Sequence, residues 1–558
     1  MSEELKPQAA APATPQAAPQ APAAAPKKPA APAAAAPAAP AENDCHVRTI
    51  ERAAFRKEME RLHKEEHMDF LECLTGIDRE DDGLAVIYHL ESTATGKRTC
   101  VQVVCEGRET PNVPTVSDLW DIANIYEREV YDFYGIIFTG HPDMRRIYMR
   151  EDWVGYPFRK DDGTQNNNPL RFFFFNDTAT TEIYTLAPDG TLTKEQRNIF
   201  GEEDYVVNIG PQHPSTHGVL HFRVCLQGEV IKKIDPILGY IHRGVEKISE
   251  QMTYPQTLAL TDRLDYLGAM QNRHALCMCI EKAMGVEVSD RVKVIRTIMD
   301  ELQRIDSHIL FFSCLAQDLG ATTAFLYGFR DREKILDIFE ETCGGRLILN
   351  YNTIGGVMAD IHPNFQKRVK EFIPYMRKNI NEYFDIFINN VIFQHRAKGI
   401  GTLTKEQCTG GTGRAAGWHN DVRKRMPYAA YDRVQFNEVT RTEGDSYARV
   451  LVRMDEILES LNIIEQLIDN IPEGNYREKM KPIIKVPAGT YYTAVEGSRG
   501  EFGVLLESKG DKSPYRLHYR STGLPLVAVM DTACKDHLLA DLITIGGTVD
   551  YVVPDIDR

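Results

Sequence analysis

Two histidines four residues apart, His213 and His217, stand in the stretch GPQHPSTHGVLHF that begins at Gly210. Imidazole can donate a proton near neutral pH, so holding it at a fixed point is chemically useful. On a helix this spacing would set both rings on one face. Pro211, Pro214 and Gly218 break such a helix and predict a fixed turn. Spacing alone favours a plain surface turn carrying two ordinary histidines. A companion stretch, TDRLDYLGAM, begins at Thr261 and adds a phenol, two aspartates and an arginine.

The remaining chemistry-bearing residues offer less. The 11 cysteines form no CxxC, their number is odd, and their scatter fits a reducing cytoplasm. Cys277 and Cys279 lie on an apolar helical stretch and read as small packed hydrophobes. Cys100 and Cys105 are too far apart for a tight metal pair. No GxGxxG lies between a strand and a helix, and no GxxxxGK[ST] occurs. GGTGRAAG at Gly410 follows the polar TKEQCT, so a nicotinamide site is unsupported.

The elements that must position these residues belong to a long chain. Its 558 residues call for more than one domain. The hydrophobic fraction of 43% and charged fraction of 26% are those of a globular protein without a bilayer-spanning run. MSEELKPQ lacks the basic start and apolar core of a secretory signal. A net charge of −15 argues against nucleic acid and against a broad basic face for anionic lipid. Residues 1–43 are almost wholly Ala, Pro, Gln and Lys and predict a disordered tether. Residues 44–161 predict a compact α+β unit, with a helix from Ile50 and strands at LAVIYHLES and KRTCVQVVC. Residues 162–204 form a linker. Within it, 171–185 (RFFFFNDTATTEIYT) holds four consecutive phenylalanines and NDTATTEIYT, which matches what a common sequencing-library adapter encodes in frame. No function attaches to it, the alternative being a strand that docks on a neighbour. From Tyr205, strands at YVVNIG, VLHFRVCLQ and GEVIKKIDP give way to helices. One long helix is predicted over 260–285. A second follows in which Ile295, Ile298, Leu302, Ile305, Ile309 and Phe312 recur at helical spacing, marking a bundle core. After Met480, AGTYYTAVEGSRGEFGVLLES predicts strands around a turn. The fold class is α+β: an N-terminal α+β domain, then a mainly helical bundle flanked by β-structure.

GPQHPSTHGVL, GYIHRGVEK from Gly239, TYPQTLALTDRLDYL from Thr253 and HLLADLITIGGTVDYVVPDIDR from His537 closely resemble the large hydrophilic subunit of respiratory complex I, which is related to the large subunit of nickel–iron hydrogenases. This resemblance covers 205–558. SDLWDIANIYEREVYDFYGIIFTGHPDMRRIYM, from Ser117, resembles the 30-kDa-type subunit of the same complex. Nothing in 44–161 groups into a nucleophile, metal or phosphate site, so this domain is expected to serve assembly and packing. The chain thus resembles a fusion of the two.

The resemblance implies a peripheral-arm subunit of a proton-pumping NADH:quinone oxidoreductase. It would line the quinone headgroup end of a tunnel, next to the terminal iron–sulfur cluster of a small partner subunit. Carried over by motif, His217 and Tyr266 would bind the headgroup, with Asp318 holding the histidine and His213 in a quinone-binding or supporting place. Quinone reduction builds negative charge on two oxygens and takes up two protons, so a dry site needs donors placed beforehand. A carboxylate behind an imidazole fixes its tautomer and favours its charged form. Arg243 and Arg263 would set the potential felt by the neighbouring cluster or, alternatively, belong to a structural ion-pair network. The chain itself would bind no metal or cluster and be inactive alone. Membrane-arm subunits would hold it at the cytoplasmic side of a bacterial inner membrane.

Two rivals remain. A nickel–iron hydrogenase needs four thiolates from two CxxC pairs. The early position here reads RLDY, and no cysteine follows Cys534. The other is a non-catalytic scaffold, against which the presence of His217, Tyr266 and Asp318 argues.

Overall fold

The structure is a computed structural model that describes residues 47–150, 153–161, 180–186, 192–198, 200 and 205–558. The expected tether and the four phenylalanines of the linker lie outside them. Of the linker, the antiparallel hairpin Thr180–Leu186 with Leu192–Asn198 is described.

In the N-terminal segment, strand Val47–Ile50 runs parallel to Arg98–Val104, which continues antiparallel through Leu84–Glu91 to Phe70–Asp78. Helix Arg52–Lys64 buries Phe55, Met59 and Leu62. Helix Ala123–Tyr134 is buried almost all round, and Gly135 ends it in the left-handed region. This segment does not close its own core. Phe55, Val101, Tyr126 and Ile137 share one apolar cluster with Phe222, Leu524, Ile545 and Val553. Polar ties reinforce the junction: Tyr148 donates to the Ile556 carbonyl at 2.9 Å, and Lys160 reaches Glu250 at 2.8 Å. The described residues therefore pack as one compact unit.

The bundle is organised on the 29-residue helix Asp290–Asp318. It packs against Thr322–Cys343, Ser446–Ile468 and Leu539–Val549. Its apolar stripe is buried, as the periodicity predicts. The opposite face is buried too, including Arg296, Glu301, Arg304 and His308. Buried charges must be paired. Glu301 is reached by Arg304 and Arg423 and accepts from Tyr431 and Ser460, while Arg414 joins Glu456 to Glu496. Two antiparallel three-stranded sheets flank the bundle. One orders Val230–Ile237, His221–Gln227 and Tyr205–Ile209, and the other orders Gly489–Gly497, Gly500–Ser508 and Arg516–Arg520. Among the described residues no helix is long and apolar enough to cross a membrane.

One expectation fails usefully. The helix predicted over 260–285 is two, Tyr254–Thr261 and Ala269–Met284, with a turn over 262–268 between them. Side chains cause the break. Asp265 accepts from the Leu267 amide at 3.0 Å, and its carbonyl accepts from Asn272, so local bonds replace the helical ladder. Tyr266 sits in that turn.

Candidate functional site

The histidine loop is a tight hairpin. Gln212–His213 pairs with Gly218–Val219 around a single 3-10 turn, Pro214–Thr216. The His213 ring caps that turn by accepting from the Ser215 amide at 3.3 Å, and the Thr216 hydroxyl bonds the Gly218 carbonyl at 2.8 Å. His217 adopts φ 49°, the left-handed region that histidine enters more readily than bulky residues. Gly218 is small for a steric reason: a Cβ there would lie 2.6 Å from Val553 Cγ2.

This loop brings His217 Nε2 to Asp318 Oδ2 at 2.8 Å. Asp318 is the last residue of the central helix, and its carboxylate is 11% exposed against 35% for the imidazole. Burial pulls the imidazole pKa down, but the bond and charge of Asp318, with Asp550 beyond, outweigh it, and the net shift is upward. With Nε2–H given to Asp318, Nδ1 is the ring's remaining hydrogen-bonding atom. It accepts when the ring is neutral and donates when the ring is charged.

Tyr266 is half-buried, and its hydroxyl has no hydrogen-bond partner among the described residues. Burial raises the phenol; Arg499 lowers it, while Asp265, Cys314 and Asp550 raise it further. Arg499 and Asp550 contribute to the titration of His217, Tyr266 and Cys314 alike, Arg499 lowering and Asp550 raising each. Cys314 stands one helical turn before Asp318, and its thiol is pushed up to about 11, chiefly by burial. The charges behind the site are locked: Arg499 binds Asp265 at 2.9 Å and Asp550 at 3.2 Å, and Arg453 approaches Asp550 at 3.4 Å.

Among the described residues, the other expected ones make no hydrogen bond or ion pair to His217, Asp318 or Tyr266 and have other surroundings. His213 lines a mostly apolar cavity of about 410 Å³ with Thr216, Phe222, Leu542 and Tyr551. Arg243 and Arg263 are exposed, and neither forms an ion pair among the described residues; the Arg263 guanidinium donates to the Ala259 carbonyl. Their neighbours carry the ion pairs instead: Asp262 with Arg273 at 2.6 Å, and Glu246 with Arg516 at 2.7 Å. Glu129, Glu246 and His518 gather closely enough to suggest a cation. Arg516 and Arg558 already supply the positive charge there, with Arg558 reaching Glu129 at 2.7 Å and Glu246 at 3.2 Å.

Sequence reasoning missed Cys314, Arg499 and Asp550. The signal for Arg499 was a basic residue at the tip of a hairpin between two apolar strands, EGSRGEFG. Asp550 and Cys314 carried no local signal.

Two family models match the chain. Respiratory-chain NADH dehydrogenase, 30 Kd subunit, matches 48–168, and the 49 Kd subunit matches 318–485 and 478–558. The C/D subunit of NADH-quinone oxidoreductase from Bacteroides thetaiotaomicron is 68% identical over 527 residues, 92% of this chain and 99% of that one. The C/D subunit from Bacteroides fragilis is 67% identical over the same shares. The D subunit of NADH-quinone oxidoreductase from Bacillus mycoides is 41% identical over 361 residues, 64% of this chain and 99% of its own.

Proposed function

The chain belongs to the family of fused C/D subunits, which join the 30 Kd and 49 Kd subunits of respiratory-chain NADH dehydrogenase, and we propose that it forms the quinone headgroup site of that complex. The observation that carries this reading is the His217–Asp318 bond of 2.8 Å, which fixes an imidazole against a carboxylate at the end of the central helix.

Quinone takes two electrons and two protons to become quinol. A terminal iron–sulfur cluster in a neighbouring subunit would supply the electrons. This chain's residues handle the protons. The imidazolium of His217, held charged by Asp318, donates from Nδ1 to one developing oxyanion, and Tyr266 donates its phenol proton to the other. Each donor is in place before charge develops, so little reorganisation accompanies the electrons. After donation Asp318 faces a neutral imidazole, and the buried Asp265–Arg499–Asp550–Arg453 row feels a changed charge beside it. That change starts the signal to membrane-arm subunits that pump protons, with Arg243 and Arg263 tuning the potential on the cluster side. The complex holds the chain at the cytoplasmic face of the inner membrane, and alone the chain is silent.

Asp318→Asn and His217→Gln in the assembled complex test this. Quinone reduction should fall on the order of 100-fold, while reduction of an artificial acceptor that draws electrons upstream persists. Normal quinone reduction in both would return the chain to the scaffold reading.

A further inference from the structure

Arg499 lies at the tip of the hairpin joining strands Gly489–Gly497 and Gly500–Ser508, yet it is only 2% exposed. A hairpin tip is normally a solvent-facing place, so burial of its arginine calls for a reason. The tip is driven into the protein and held there. The Ser498 amide and hydroxyl both donate to Gln271 Oε1, at 3.1 and 3.2 Å. A Cβ on Gly410 would lie 2.3 Å from the Arg499 carbonyl, so that glycine allows the close approach.

The guanidinium then spans two separate parts of the chain. Nη1 donates to Asp265 Oδ2 at 2.9 Å, and Nη2 to Asp550 Oδ1 at 3.2 Å, while Nε has no hydrogen-bond partner among the described residues. Asp265 is the residue before Tyr266 and uses its other oxygen to hold the Leu267 amide. Asp550 ends helix Leu539–Val549 in a left-handed conformation, φ 64°. One planar fork therefore ties the tyrosine turn to the end of that helix, a geometry suited to arginine.

We propose that Arg499 is a positioning residue for Tyr266, fixing the turn that carries the phenol and offsetting the carboxylates beside it. The inference rests on the reading of Tyr266 as a quinone-site donor. The charges that act on the phenol come from Asp265 in its own turn, Cys314 on the central helix and Asp550 at the end of Leu539–Val549, and Arg499, bonded to both aspartates, opposes them. Without the guanidinium, Asp265 would be a buried carboxylate with no cationic partner, and the turn would have to move or the carboxyl take up a proton. Either outcome displaces or re-tunes the hydroxyl.

The test is a double-mutant cycle in the assembled complex, reading kcat and KM with a short-chain quinone beside the amount of intact complex. Arg499→Gln should lower kcat on the order of 10- to 100-fold with little change in KM, and Arg499→Lys should recover part of that loss. In a Tyr266→Phe background the same Arg499→Gln change should cost less than about two-fold, because its effect passes through the missing hydroxyl. An equal loss in both backgrounds overturns the inference and leaves the site reading intact. A Tyr266→Phe enzyme with parental kcat overturns both. If Arg499→Gln fails to assemble, Asp265→Asn takes its place in the cycle with the same two outcomes.

Discussion

His217 Nε2 and Asp318 Oδ2 lie 2.8 Å apart although 101 positions separate the residues in sequence. One comes from a proline-bound hairpin and the other from the last position of the central helix. Neither element can shift without breaking the bond, so the imidazole is oriented by the fold itself.

That pair gives a pH prediction with a definite sign. The folded-state imidazole titrates above its ordinary value: burial pulls it down, but Asp318 more than compensates. Stabilisation from the pair is therefore complete below the ordinary imidazole pKa and lost as pH rises through the raised one. Asp318→Asn removes the compensation and leaves the burial, so the charged ring is lost at lower pH. The alkaline limb of the pH–rate profile for quinone reduction should move toward acid, and an unmoved limb would show that His217 does not control it.

Gly218 offers a steric test of the loop. Gly218→Ala places a methyl 2.6 Å from Val553 Cγ2. Overpacking of this kind costs about 1–3 kcal/mol, seen as a lower melting temperature and weaker quinone turnover. Adding Val553→Ala should return part of both. Strict additivity of the two changes would mean that the residues do not touch.

Glu246 is a structural counterpart. It sits at the junction of the N-terminal segment with the rest, 2.7 Å from Arg516, 3.1 Å from His518 and 3.2 Å from Arg558. Burial opposes its ionisation, but Arg516 and His518 hold its carboxyl well below the usual range. Stability from this group is present above the ordinary carboxylate pKa and lost as pH falls through the depressed one. Glu246→Gln leaves guanidinium charge buried and uncompensated, at about 3–5 kcal/mol. Loss of assembled complex is expected, whereas Arg243→Gln, at an exposed position, should assemble normally.

Cys314, one helical turn before Asp318, reports on a ligand bound beside the His217–Asp318 pair. With its thiol at about 11, roughly one molecule in ten thousand is ionised at pH 7. Alkylation should therefore be slow at pH 7 and faster at pH 9, and a bound quinone analogue should slow it. Labelling indifferent to the analogue would place the ligand elsewhere.

The parts legible in the sequence were those that local chemistry dictates. Pro211, Pro214 and Gly218 announced the histidine turn, and the Ile295–Phe312 stripe announced the bundle core. The same helix also buries Arg296, Glu301, Arg304 and His308. Periodicity had assigned those to no face, because charged residues enter a core only when partners from distant segments meet them. The single helix predicted over 260–285 failed for a related reason. TDRLDYLGAM has helical composition, and Asp265 breaks the helix by bonding the Leu267 amide and accepting Arg499, which lies 234 positions away. A long-range ion pair leaves no trace in local pattern. The family motifs supplied His217, Tyr266 and Asp318, whereas Arg499 and Asp550 emerged from geometry alone.

The most direct measurement is donor-to-quinone electron transfer in membranes carrying Tyr266→Phe, with intact complex quantified in parallel. The substitution removes one hydroxyl that has no hydrogen-bond partner among the described residues, so packing should be nearly unchanged. Intact complex whose quinone turnover is reduced on the order of 100-fold is the expected result. Intact complex with parental turnover across several quinones would contradict Tyr266 as a proton donor and remove the phenol from the site.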